Sequence, residues 1–329
     1  MLDVSKFLED MSGRYAATYA DIVQQMVIAA AMGDRVELAA QRKRMEEATS
    51  ETMGVAEVLG ASITLKSAAS LLPAEGLALR HDTKYLMAFA DTPSQSILPR
   101  VTLDEAVQDM VDRTPATIRV AAERTAQRIS QLYGEGRVVA FVQSAESAVT
   151  ERAQGLIAEA IKKGIPELDA IVGGSLTPGA GVRMAEAVEQ VRIKTAAWSE
   201  GYARMAFRTN VNTAVTAGRF RQSQDPDIKK VIPCFRFDAV GDDDTRDNHL
   251  EADGLIFRVD NTVWNKIAPP LGYNCRCTVS NVSIASLRRM GRVNSNGDIL
   301  EDRLPSVAKP DDGFRHGGRP DLFMVGASR

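Results

Sequence analysis

From Met1 to about Arg221, apolar residues recur at three- and four-residue spacing, as in Ile22, Met26, Ala29 and Ala30, with short breakers between the runs. That period puts them on one face of successive helices, so this region reads as a helical assembly. Several helix ends are marked. Thr102-Leu103-Asp104-Glu105 has the form of a capping box, in which Thr102 accepts from a free backbone amide and Glu105 reaches back. Pro115 suits the first turn of a helix running to about Tyr133, and Gly134-Glu135-Gly136 stops it. Pro93 to Pro99 and Gly173 to Gly179 read as connections. After the second, the pattern predicts one unusually long helix from Val182 to about Gln222.

At Asp225-Pro226 the spacing shortens. Cys234-Phe235-Arg236-Phe237 and Leu255-Ile256-Phe257-Arg258-Val259 have the look of strands, separated by Gly, Asp, Asn and Pro clusters. Beyond about Ser286 the chain is rich in glycine and proline with little apolar period, so it is expected to extend or wrap and to be ordered by a partner. The fold class is therefore mainly α with a small C-terminal α+β module. Its expected divisions are a helical region over 1–181, divisible into two sub-bundles, the long helix plus module over 182–285, and an extended tail over 286–329.

Composition narrows the function classes. With 44% hydrophobic and 25% charged residues, the 329-residue chain has the usage of a folded globular protein. Only 5% is aromatic, which suits helices packed through alanine and aliphatic side chains. A formal net charge of -3 excludes a cationic coat over the whole surface. The apolar run Met26 to Met32 is far shorter than the roughly 20 residues a membrane helix needs. The opening residues MLDVSKFLED lack the basic start and apolar block of a secretory signal, so synthesis and retention in the cytosol, with reduced thiols, are expected.

Phosphate-loop, dinucleotide-binding, nucleophile-elbow and H-E-x-x-H signatures are all missing, which lowers the case for an enzyme. The three cysteines, Cys234, Cys275 and Cys277, are crowded around His249 in sequence. Together the four side chains have the composition of a tetrahedral zinc site, since thiolate sulfur and neutral imidazole are the donors zinc prefers and four of them close its shell. The competing readings are that Cys234 is a small buried apolar residue and that Cys275 and Cys277 form a strained disulfide. If Cys275 to Cys277 is extended, both sulfurs point to one side and Arg276 to the other.

Two charged stretches invite function. Asp242, Asp243, Asp244, Asp247, Glu251 and Asp253 stand against Arg246 alone, but the sixth position counted from Asp242 is Asp247 rather than glycine, so a calcium loop of the EF-hand type fails. A solvated turn is the simpler reading. From Arg183 to Lys230, nine basic residues face five acidic ones, a pattern that suits either a solvated face or contact with DNA.

The order and spacing of these pieces resemble a known family. Asp242-x-x-Thr245-Arg246-x-x-His249, Asp253-Gly254-Leu255-Ile256-Phe257, Trp264 and Pro269-Pro270-Leu271-Gly272-Tyr273-Asn274-Cys275-Arg276-Cys277 are similar to the phage head morphogenesis family, the Mu F-like minor head protein domain. The resemblance covers about Arg204 to Ser283, with Phe207 to Asn210 and Asn212 as the helix leading in. It implies a minor virion protein, present in several copies, structural rather than catalytic, that assembles in the host cytoplasm. It implies contact with the portal or the major capsid protein and with packaged DNA, no membrane partner, and a role in shaping the head or delivering the genome. Family members look as though they carry a C-x-x-C pair where this chain has Arg246 and His249. Arg246 cannot ligate, so either Cys234 supplies the fourth ligand to one structural zinc ion, or no metal binds and Arg246 and His249 hold the turn by hydrogen bonds. The alternative functions are a metal-dependent hydrolase or nuclease centred on His249 and a DNA-binding virion factor using the basic stretch.

Overall fold

The computed structural model describes residues 19–71, 102–134, 139–163, 180–312 and 314. Both connections expected from the sequence, Pro93 to Pro99 and Gly173 to Gly179, lie outside the described residues. Helix α1 occupies residues 19–32 and buries Ile22, Met26 and Ala29, the face its spacing predicts. Gly33 (φ 66°) turns the chain, and the Asp34 side chain caps α2 (Arg35–Ala69) by accepting from the amides of Val36 and Glu37. The capping box at Thr102 and Glu105 forms as expected and opens α3 (Leu103–Asp112). Pro115 precedes α4 (Ala116–Gly134), and α5 (Val139–Lys163) follows.

The long helix is present as α6 (Ala180–Ser223), 44 residues. Its C-terminal half packs on α2 at nearly backbone-to-backbone range. A Cβ on Gly60 would collide with the Val215 carbonyl, and one on Gly218 with the Glu57 carbonyl, so glycine at these two places is what lets the helices touch. Beside this seam the buried Glu57 carboxylate pairs with Arg221 Nε at 2.7 Å and accepts from the Tyr133 hydroxyl at 2.9 Å, tying α2, α4 and α6 together. One apolar core built largely from α1 to α6 surrounds the seam, including Ile22, Leu59, Ile129, Val211 and Val215.

Asp225 caps the short α7 (Pro226–Val231) and also pairs with Arg124 of α4 at 2.7 Å. The module then builds a three-stranded antiparallel sheet from β1 (Cys234–Asp238), β2 (Ile256–Arg258) and β3 (Thr278–Val282), in the order β2-β1-β3. Short helices α8 (Asp247–Leu250) and α9 (Trp264–Ile267) sit in its connections, and α10 (Ile284–Arg289) follows β3. On one sheet face Phe235, Phe237 and Val279 pack with Trp264, Cys275, Cys277 and Phe220 of α6. Cys234 faces the other way, with Ile256, Val282 and Leu287. This split follows from the two-residue period of a strand. Trp264, fully buried, satisfies its indole N-H on the Arg258 carbonyl at 2.9 Å.

The described part of the tail lies against its own module. Glu301 accepts from the Arg258 amide at 2.6 Å, and Asp302 accepts from the Ile256 amide at 2.8 Å while donating its own amide to the Ile256 carbonyl at 3.1 Å. These contacts cover the open edge of β2, whose backbone groups would otherwise lack partners. Over residues 286–312 the order expected from a partner is thus supplied from within the chain.

Candidate metal centre

Three of the four expected site residues converge. The N-terminal turn of α8 begins at Arg246, and the three-residue offset to His249 puts both side chains on one side of it. The Gly272-Tyr273-Asn274 bend, with Asn274 at φ 62°, brings Cys275 and Cys277 back beneath that turn. α6 holds the returning strand in place: the Asn212 amide donates to the Cys275 and Cys277 carbonyls at 3.1 and 3.2 Å, and Thr209 accepts from the Asn274 amide at 3.0 Å. Arg219, buried on the same helix, donates to the Val279 carbonyl. Its burial lowers its pKa to about 10.

His249 Nδ1 lies 3.6 Å from Cys275 Sγ and 3.8 Å from Cys277 Sγ, and the three donor atoms all fall within 4.8 Å of one another. A tetrahedral ion with bonds of about 2.3 Å to sulfur and about 2.0–2.1 Å to nitrogen separates S and N by about 3.6 Å. The cluster therefore has the donor chemistry and spacing to hold a metal. All three residues are buried, at 2%, 2% and 3% exposure. The sulfurs share a side as an extended Cys275 to Cys277 requires, while Arg276 turns away and makes two 2.6 Å hydrogen bonds to Asp242.

Electrostatics agree with the packing. The Cys277 thiol, hydrogen-bonded to Cys275, holds the Cys275 sulfur well below the usual thiol range against the opposing effect of burial, with His249 adding to it; the same coupling raises Cys277. At His249, burial favours the neutral ring but is outweighed by Cys275 and Asp311, so its pKa is raised.

Cys234 does not join the cluster. It lies on the opposite sheet face, and burial pushes its thiol up to about 12, with Glu301 adding to the effect. It occupies the place of a small apolar core residue. Its sequence proximity to His249 is misleading because adjacent strand residues face opposite ways. All three cysteines are free thiols, so the competing reading of a Cys275–Cys277 disulfide is not realised. The residue that sequence reading missed is Asp311, whose Oδ1 lies 3.0 Å from His249 Nε2. It stands 62 positions away in a tail without helical or strand period, so only the folded chain reveals it.

The acidic run behaves as a turn: Asp242 bonds Thr245 and Arg276, and Asp253 accepts from the Ala239 amide. Much of the basic stretch is engaged internally. Arg204 pairs with Glu200, Arg221 with Glu57, Lys229 with Asp260 and Lys230 with Asp227. A cleft lined by Lys266, Pro270, Leu304, Lys309 and Phe314 lies beside the tail, and none of the three clustered donors lines it.

A long helix docked on a small antiparallel module with a buried His/Cys/Cys cluster is the setting in which the motifs lie. Residues 168–280 match the family described as Phage Mu protein F like protein, so the resemblance drawn from the motifs is borne out. The match begins upstream of the expected Arg204 and takes in the whole of α6, in keeping with the contacts that bind this helix to the module. The chain is 34% identical over 94 residues to the "Putative capsid assembly protein F" of Escherichia phage Mu, covering 29% of this chain and 21% of that protein. It is 35% identical over 95 residues to the "Mu-like prophage FluMu F protein" of Haemophilus influenzae, covering 29% and 22%. The chain thus spans about a fifth of the length of these curated relatives. No solved structure matches it.

Proposed function

We propose that this chain is a structural component of phage head assembly, incorporated as a minor virion protein through contacts with the portal or the capsid shell. The observation that carries this reading is the match over residues 168–280, with a relative named as a capsid assembly protein, centred on a module that holds its polar cluster buried. The bundle and α6 offer extended surface for neighbouring subunits. Within this reading His249, Cys275 and Cys277 hold one structural zinc ion, which would staple the Cys275 return strand to α8. Metal binding of this kind contributes to folding free energy, because no preformed site exists in the unfolded chain.

One feature favours a hydrolytic metal centre instead: three protein donors leave a fourth position open. Against it, each donor is almost wholly buried and the neighbouring cleft does not reach them. The internal pairing of the basic stretch likewise weakens a DNA-binding reading. Deleting the gene for this chain from its phage tests the assembly role. Loss of normal heads or of packaged genome is expected, and infectious heads of normal form would contradict it.

A further inference from the structure

The His249 ring is held from both sides. Nδ1 faces the two sulfurs, and Nε2 meets Asp311 Oδ1 at 3.0 Å. A proton on Nε2, given to that carboxylate, leaves the Nδ1 lone pair free for an ion, which is how a carboxylate behind a ligating histidine fixes its tautomer and orientation. Asp311 is itself held. Oδ1 also accepts from Asn248 Nδ2 at 3.3 Å, Oδ2 lies 3.2 Å from Arg246 Nε, and its backbone amide donates to the Leu271 carbonyl at 2.8 Å. Gly272 leaves room for it, since a Cβ there would collide with Oδ2. Arg246, which cannot bind metal, thus acts on the carboxylate that aims the imidazole.

We propose that Asp311 is the positioning residue of this metal site, and that metal binding and docking of the 301–312 segment are linked through it. The inference rests on the structural-metal reading above. Linkage is reciprocal: an ion that favours the His249 orientation held by Asp311 favours the docked tail, and undocking the tail weakens the ion's hold.

The test uses the full chain, titrated with zinc against a chromophoric chelator, for wild type and Asp311→Asn. Cobalt spectra and hydrogen exchange over 301–312, with and without metal, complete it. Wild type should bind one zinc. Asp311→Asn should bind it about 10- to 100-fold more weakly, shift the cobalt ligand-field bands and lose the metal-dependent protection of 301–312. Should Asp311→Asn fail to fold, Gly272→Ala displaces the same carboxylate without removing its charge and should give the same directions. Stoichiometric zinc in wild type with unchanged affinity and cobalt spectrum in the folded variant would overturn the linkage alone. No zinc in wild type would overturn the metal reading and the inference with it.

Discussion

Cys277 and Cys234 differ in the sheet face they occupy, and that difference predicts opposite outcomes for similar substitutions. Cys277→Ser should abolish stoichiometric zinc, whereas Cys234→Ala should keep it and cost about 1 kcal/mol of stability from the core. Metal analysis after reducing purification separates the two, and equal loss from both would contradict the geometry. Arg276 and Asp242 give a pH prediction. The Arg276 hydrogen bonds hold the Asp242 carboxyl below its usual range, so its folded pKa lies below its unfolded one. The pair's contribution is then present above the unfolded value and lost as pH falls through the folded one. An NMR titration of Asp242 should show a midpoint below about 3.9, moving upward in Arg276→Ala. At this scale the sequence revealed donor types but only part of the constellation. Cys275, Cys277 and His249 were legible because their motif spacing is local. Asp311 was not, because a contact across 62 positions leaves no period, and Cys234 was grouped with them because composition carries no information about sheet face.

Helix α6 contains two glycines whose replacement by alanine should act in opposite directions. Gly201 faces open space, so Gly201→Ala should stabilise by about 0.5–1 kcal/mol through helix propensity. Gly218 lies against the Glu57 carbonyl, so Gly218→Ala should destabilise by about 1–3 kcal/mol through overpacking. Thermal unfolding midpoints that shift the same way in both would refute the close α2–α6 seam. Glu57→Gln removes the charge opposite Arg221 at a place where Glu57 is fully buried, and a loss of about 3 kcal/mol or more is expected in denaturant unfolding. The elements themselves were the most legible level. The Thr102 capping box, the helix after Pro115, the long α6 and the first two strands all follow from local pattern and caps. The docking of Glu301 and Asp302 on β2 does not, since it depends on an unpaired sheet edge that exists only after the strands have assembled.

At the scale of the whole molecule, α6 serves as the spine: one end of it packs in the bundle through Gly218 and Arg221, and the same stretch holds the module through Asn212, Arg219 and Phe220. The bundle and the module are therefore joined through one helix, whose contacts reach both the core and the strand that carries the clustered donors. The motif array made the module recognisable, while the bundle's packing was hidden because alanine-rich helices can pair in several ways until glycine contacts and a buried ion pair select one. The most direct measurement is quantitative mass spectrometry of heads purified after co-expression of this chain with its cognate portal and capsid proteins. The account predicts the chain in those particles at a fixed ratio well below that of the capsid protein. Its absence from purified heads, or an amount that varies freely with expression level, would contradict it.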